Sequence, residues 1–458
     1  RFRRRANSID LWFGPGAWPV AQGDTIGFSG NSGSSLGPHL HFELRDTPTQ
    51  RLYNVVREGV VRPDDDLPPR IMRIHYIEVD SVQGVPVHGR PESYSVVREA
   101  EGRYRLTREE PVGTGRKGYF VLEASDRRNG VHNTFGLWRA SMSVDGDPRF
   151  EYRMDGFTHD LSRCCDAVSH YPMQLTSRNE VIRLAQLAES PDCFYPVMRE
   201  RGLVRTAEGE KRRIRIEAED DCGNRSQLEF DILGRTETLR AEADSTAVVL
   251  RPEKAALVRA GRDLTARIPA GAVYEPIFCH PEQRQAPASD STAAVLSPAY
   301  RILDAETPLR RPMTVSVHAF VPDDMQSRTV LATRTSKGRI ACIGGRYADG
   351  AVTATTRTTG DIFVAADTIP PRIRPLFSEG ADLGGARSIR FRVSDNFSGI
   401  ASCTLLIDGR WAPCDRFPMQ GTLVHAFDRP AAKKRRSVQL SVTDGCGNTA
   451  RWEGTFWR

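Results

Sequence analysis

Apolar and polar residues alternate along most of this chain. Ile389, Phe391 and Val393 are separated by Arg390 and Arg392, and Val438, Leu440 and Val442 keep the same period of two. Successive side chains of a strand point to opposite faces, so these stretches predict half-buried strands of antiparallel sheets. Leu264, Ala266 and Ile268 repeat the pattern, as do Met313, Val315 and Val317. Near the beginning, Leu40, Phe42 and Leu44 alternate with His39, His41 and Glu43. That spacing predicts a strand whose apolar residues enter a core while both imidazoles share the other face. One stretch breaks the rule. Val181, Ile182, Leu184, Ala185 and Leu187, after the polar Ser177-Arg178-Asn179, sit at helical spacing and predict a helix lying against a sheet.

The pattern also repeats on a longer scale. Asp66-Leu67-Pro68-Pro69-Arg70-Ile71 returns as Asp367-Thr368-Ile369-Pro370-Pro371-Arg372-Ile373, and Ser125-Asp126 followed by Gly130-Val131 returns as Ser394-Asp395 followed by Gly399-Ile400. Val144-Asp145-Gly146 matches Ile407-Asp408-Gly409, and Asp220-Asp221-Cys222-Gly223-Asn224 matches Asp444-Gly445-Cys446-Gly447-Asn448. Matches in one order predict a duplicated unit, residues 66–235 and 367–458. The first copy carries an insertion between Gly146 and Ile214. Both copies resemble bacterial immunoglobulin-like sandwiches, which implies spacers or binding modules. Their Asp-x-Cys-Gly-Asn endings supply tight turns between two final strands, and the aspartates read as Asx-turns. A Ca²⁺ site in their place would require about six or more oxygen ligands. Residues 240–366 form a third kind of unit, a β-sandwich module. Its Ile268-Pro269-Ala270-Gly271-Ala272 phrase is similar to modules of surface and autoproteolytic receptors. It has no His-Ser/Thr cleavage arrangement, and Cys279-His280 reads as packing.

Composition narrows the choice of function. At 458 residues, several domains are expected, and 39% hydrophobic residues with 29 Pro and 38 Gly fit loop-rich β domains. No apolar run approaches the roughly 18 residues of a membrane span. A net charge of +6 is mild for this length. Arg3-Arg4-Arg5 and Lys433-Lys434-Arg435-Arg436 therefore read as solvated surface, and nucleic acid is not an expected partner. The nine cysteines contain no Cys-x-x-Cys pair, which removes zinc-ribbon and thioredoxin chemistry. Cys403 and Cys414 flank an expected hairpin and are the best placed for a disulfide.

The candidate chemistry lies in one short segment. Val20-Ala21-Gln22-Gly23-Asp24-Thr25-Ile26-Gly27 leads through a Gly/Ser loop (Gly30, Asn31, Gly33, Ser34) to Gly37-Pro38-His39-Leu40-His41-Phe42-Glu43. Two imidazoles on one rigid strand suit a metal site in which one binds Zn²⁺ and its neighbour handles protons. Residues 18–46 resemble the C-terminal end of the lysostaphin-like zinc metallopeptidases, which cut peptidoglycan cross-bridges and stem peptides. The resemblance implies that His41 is a zinc ligand and His39 a catalytic histidine beside the metal-bound water. It also implies that Gly30, Asn31, Gly33, Ser34 and Gly37 line a narrow substrate groove admitting small or D-configured residues. The family's remaining ligands, spaced His-x-x-x-Asp, lie upstream of this segment in its members. No histidine precedes Gly23 here, and no later histidine begins that motif. The expectation is a metallopeptidase domain truncated at its N-terminus, of which residues 1–56 are the C-terminal part.

The expected fold is thus mainly β, a partial metallopeptidase domain followed by a tandem of antiparallel sandwiches. The expected function is a zinc endopeptidase of the cell envelope, periplasmic or secreted, acting on peptidoglycan, and inactive without its upstream ligands. Envelope proteins are the further expected partners. The competing expectation is a non-catalytic envelope protein, either an activator of peptidoglycan hydrolases or an adhesion scaffold built on the sandwiches.

Overall fold

The structure is a computed structural model that describes residues 1–28, 30, 37–427 and 433–458. Antiparallel pairs dominate it, and the predicted alternation is realised: Ile389, Phe391, Val393, Val438, Leu440 and Val442 are all buried. The chain is mainly β.

The first sandwich sets the strands Arg70–Val82, Glu92–Ala100 and Lys117–Ser125 against Arg139–Val144, Asp147–Arg153, Lys211–Glu219 and Arg225–Gly234. Ile74, Tyr76, Phe120 and Leu122 from one layer meet Met142, Ile214, Ile216 and Phe230 from the other. The next unit pairs a five-stranded sheet, which includes Leu264–Ile268 and Met313–His318, with a six-stranded one, which includes Thr329–Arg334 and Asp361–Ala366. Its core joins Leu264, Ala266, Val315 and Val317 to Leu331 and Val364. The last sandwich packs a four-stranded sheet around Ser388–Ser394 on a five-stranded sheet around Arg435–Asp444.

The duplicated phrases build the same local structures. Asp145 and Asp408 both adopt positive φ (52° and 50°) ahead of Gly146 and Gly409, also positive. Two such residues in succession give the hairpin turn whose twist matches the flanking strands. The Asp145 carboxylate accepts from the Arg213 N–H and the Arg212 side chain, and Asp408 accepts from the Ser437 N–H and the Arg436 side chain. At the other end, Asn224 Nδ2 donates to the Asp65 carbonyl and the Asp220 carboxylate, as Asn448 Nδ2 does to Asp367 and Asp444. The two occurrences of each phrase thus make the same bonds.

Residues 181–187 depart from the expected helix. Glu180–Arg183 is a strand, paired antiparallel with Lys117–Ser125 so that Ile182 faces Leu122. Both its faces are covered: Ile182 joins the main core, and Val181 joins an outer cluster with Ile77, Tyr119 and Ala185. A strand buried on both faces loses its alternation, and a short apolar run then mimics helical spacing. The helical turns lie just before it, at Cys165–Val168 and Tyr171–Gln174. All nine cysteines are free thiols, Cys403 and Cys414 included. Cys414 instead contacts Asn7, whose side-chain oxygen accepts from the Cys414 N–H at 3.0 Å. Lys433, Lys434 and Arg436 pair with Asp382 and Asp408 on the surface. Among the described residues no helix is long and apolar enough to cross a membrane.

Candidate functional site

The histidine segment begins at a turn. The Asp24 N–H donates to the Ala21 carbonyl, the Asp24 carboxylate accepts from the Ala21 N–H at 2.8 Å, and Gly23 takes φ of 98° between them. Gly30 and His39 then form an isolated antiparallel bridge. Of the predicted groove residues, Gly30 and Gly37 are exposed or half-buried, while Asn31, Gly33 and Ser34 lie outside the described residues.

The predicted strand through both histidines is shorter than its alternation suggests. Only Leu44–Arg45 is a strand, paired with Leu52–Tyr53, which in turn pairs with Gly156–Phe157 of the first sandwich. Leu40 is 86% exposed and Phe42 56%, so no core forms beneath them. Alternation predicts which residues a sheet would bury; it cannot supply the neighbouring strand or the layer beneath.

The histidines nevertheless make defined contacts. His41 Nε2 donates to Glu43 Oε1 at 2.7 Å, and Arg45 Nε donates to the other Glu43 oxygen at 2.6 Å. The His41 hydrogen bond and then Arg45 hold the Glu43 carboxyl below its usual range. A neutral His41 ring bonded this way carries its lone pair on Nδ1, the arrangement by which a carboxylate orients an imidazole for a metal. His39 Nδ1 lies 2.9 Å from the Gly37 carbonyl, so a neutral ring donating there carries its lone pair on Nε2. Two imidazoles fall short of the three protein ligands of a catalytic zinc site. Among the described residues, no metal-ligating cluster includes either histidine. The described residues therefore do not by themselves hold Zn²⁺, and no zinc-dependent step follows from them.

A second feature escaped the sequence. A cavity of about 520 Å³ lies between the first sandwich and the middle unit, walled by Tyr119, His88, His170 and Arg183 on one side and Tyr274 and Glu275 on the other. Arg183 stacks over the Tyr119 ring at 4.1 Å, and His88 Nε2 lies 3.0 Å from Glu275 Oε1. Burial, then the charges of Arg183 and His88, brings the His170 ring down to about 3, so it is neutral at physiological pH. Burial opposes ionisation of Glu275, but the His88 hydrogen bond and Arg183 outweigh it and keep its carboxyl below the usual range. These residues come from three strands, a helix entry and a loop far apart in the chain, and no spacing in the sequence links them. The charges pair with one another across the boundary, which is the behaviour of a joint.

Residues 250–367 match the Zu5-like domain model. That span is the two-sheet unit between the duplicated sandwiches. No curated protein matches the chain. Among solved structures, immunoglobulin domains 1–4 of Sidekick-1 align at 10% identity over 83% of this chain and 80% of that one, with a TM-score of 0.17. The SGBP-B protein of a Bacteroides ovatus mixed-linkage glucan utilization locus aligns at 9% identity over 77% and 67%, with a TM-score of 0.14. A bacterial ice-binding adhesin aligns at 10% identity over 76% and 98%, with a TM-score of 0.13. At such scores the three likenesses carry no functional argument.

Proposed function

We propose that this chain belongs to a cell-envelope zinc endopeptidase acting on peptidoglycan peptides, in which the histidine segment is part of the catalytic domain and the sandwiches are its accessory array. One observation carries the reading: the ordered series Gly23-x-x-Ile26-Gly27, Gly/Ser loop, Gly37-Pro38-His39-x-His41-Phe42-Glu43. The Glu43 contact to His41 and the exposure of Leu40 and Phe42 support it. An oriented imidazole is ready for a metal, and uncovered apolar side chains suit a segment that packs against further protein. In this reading His41 is a metal ligand and His39 handles protons, while the His-x-x-x-Asp ligands come from outside these 458 residues. A periplasmic or secreted location belongs to the same proposal.

The test measures zinc content and muropeptide release for the 458-residue chain and for a polypeptide extended through the preceding coding region. The short chain is expected to hold no stoichiometric zinc and the extended one to hold one zinc and digest peptidoglycan. In the extended protein, His41→Ala should lose the metal, whereas His39→Ala should keep most of it and lose turnover. Full activity of the His41 variant would reject the peptidase reading. A second reading, a non-catalytic activator of peptidoglycan hydrolases or an adhesion scaffold, is favoured by the missing His-x-x-x-Asp motif. It prevails if the extended sequence also lacks that motif.

A further inference from the structure

We propose that each duplicated sandwich holds one calcium ion, bound by Asp65, Asp126 and Asp220 in the first and by Asp367, Asp395 and Asp444 in the last. In both trios one carboxylate oxygen from each residue lies within 4.8 Å of the others. Two oxygens bound to one ion are separated by at most twice the metal–oxygen distance. At about 2.3–2.6 Å for Ca²⁺ that limit is roughly 4.6–5.2 Å, whereas for Mg²⁺ at about 2.0–2.1 Å it is roughly 4.2 Å. A single ion can therefore bridge each trio, and an all-oxygen donor set with room for irregular geometry is what Ca²⁺ takes.

Asx-turn bonding explains only part of each cluster. Asp220 Oδ1 accepts from the N–H groups of Cys222, Gly223 and Asn224, and Asp444 Oδ1 accepts from those of Cys446 and Asn448. Asp65 Oδ1 accepts from the Leu67 N–H, Asp367 from those of Ile369 and Ser398, Asp395 Oδ2 from those of Phe397 and Gly399, and the Oδ2 atoms of Asp220 and Asp444 from the Asn224 and Asn448 side chains. Three buried carboxylate oxygens are left without a donor. Asp126 is 1% exposed, and its Oδ1 has no hydrogen-bond partner. The Asp65 side chain is wholly buried, and its Oδ2 has none either. In the last sandwich the Asp395 Oδ1 is likewise buried and unpartnered. Buried acceptors without donors, set among other carboxylates, are costly unless a cation or a proton joins them.

Protein cations do not fill this role. In the first cluster Arg128 comes no nearer than 4.0 Å to Asp65, because its guanidinium is committed to Asp221 at 2.7 Å and 2.9 Å. In the last cluster Phe397 occupies the position equivalent to Arg128, and among the described residues no Lys or Arg pairs with Asp367, Asp395 or Asp444. The two sites thus share their carboxylates and differ in their surroundings, which makes the repeated trio the common element. Ca²⁺ completes its shell with carbonyl oxygens and water, and it tolerates irregular geometry in doing so.

The location gives the ion a purpose. Asp367 directly follows the strand Asp361–Ala366 of the middle unit, and the loop carrying Asp395 rests on that unit through Phe397 and through Asn396, whose side chain donates to the Thr292 carbonyl. An ion there ties the incoming chain, that loop and the final hairpin together, and so fixes the joint between two modules.

The experiment is calorimetric titration of CaCl₂ into the EDTA-stripped 458-residue chain, with thermal unfolding in EDTA, CaCl₂ and MgCl₂. The expected result is two ions per chain and a Tm that rises with calcium and less with magnesium. Asp126→Asn and Asp395→Asn should each bind one ion, and the double variant none, with circular dichroism in EDTA unchanged because the substitution keeps shape and removes charge. No binding by the wild type, two ions retained by the double variant, or an equal response to magnesium would each overturn the proposal. A wild-type Tm that rises on acidification in EDTA yet ignores calcium would mean that the clusters hold protons, and would overturn it too. If a variant fails to fold, the wild-type stoichiometry still decides.

Discussion

Replacing Glu180 by Gln should stabilise the first sandwich at alkaline pH and leave it unchanged near pH 4.5. Glu180 opens the strand Glu180–Arg183, and its carboxylate lies beside a small cavity lined by Tyr152, Met154, Phe157, Leu161 and Phe194. The Leu137 N–H donates to Oε2 at 2.6 Å. Burial drives the carboxyl from its ordinary 4.5 up to about 7, against the smaller opposing effect of that hydrogen bond. A folded-state pKa above the unfolded value means that the native state binds more protons between pH 4.5 and 7. Stability from this group is therefore greatest at and below pH 4.5 and falls as the pH rises through 7. A shift of about 2.5 units at about 1.4 kcal/mol per unit gives a loss of about 3 kcal/mol by pH 8. Gln keeps an oxygen for the Leu137 N–H but carries no charge, so it should escape the loss. Relative to Gln, Leu at the same position should lose the acceptor and cost about 1–3 kcal/mol at either pH. Urea unfolding at pH 4.5 and 8, read by hydrogen exchange in peptides covering Lys117–Ser125 and Glu180–Arg183, isolates this sandwich from its neighbours. Equal effects of Gln at both pH values would show that the carboxylate carries no burial cost and would refute the reasoning.

Two further outcomes follow from packing. Gly156 adopts φ of 150°, and a Cβ there would sit 2.2 Å from the Leu52 carbonyl oxygen. Gly156→Ala should therefore detach Leu52–Tyr53 and speed proteolytic cleavage between residues 40 and 60 several-fold; unchanged cleavage by mass spectrometry would count against the docking role of this sheet. Tyr76→Phe removes the acceptor that the buried Gly115 N–H meets at 3.0 Å, and should lower the stability of the first sandwich by about 1–3 kcal/mol, with a neutral result in urea unfolding arguing that water replaces the phenol oxygen.

The fold was legible where one face of a strand is buried and the other wet. Ile389, Phe391 and Val393 state their orientation in their spacing, and the hairpin turns are written in Asp145-Gly146 and Asp408-Gly409 because few residues tolerate positive φ. The strand Glu180–Arg183 was illegible for the opposite reason, since two covered faces erase the period. The histidine segment shows a different limit. Local sequence fixes the residue order of a site and the contact between His41 and Glu43, but the length of a strand depends on what lies beside it. The aspartate clusters read as Asx-turns because each of their aspartates, taken alone, has an adequate local explanation as a turn residue. Only the fold brings together positions 65, 126 and 220 and leaves two of their oxygens without donors.

The insertion in the first sandwich explains why two copies of one unit serve different ends. The last sandwich runs from its Asp408-Gly409 turn to its final strands by a short route, whereas the first spends residues 147–213 on the way. That stretch supplies Gly156–Phe157, the strand on which Leu52–Tyr53 and then Leu44–Arg45 are laid. Arg57 adds to the same contact by stacking over Trp138 at 3.9 Å. On its other side the insertion supplies Ala167 and Leu187, which enclose Tyr274 of the middle unit, and the Tyr274 hydroxyl donates to the Arg163 carbonyl at 2.7 Å. Buried apolar side chains and a paired hydroxyl mark the Tyr274 contact as a fixed joint rather than a flexible tether, whereas the half-buried Leu52–Tyr53 is held by strand pairing. The histidine segment is therefore held through the insertion to the sandwich array, and the array's stiffness governs where that segment points. In the peptidase reading this couples the two proposals: an ion that stiffens the Asp65 junction would steady the approach of the catalytic domain to a polymeric substrate, while leaving the chemistry at His39 and His41 untouched.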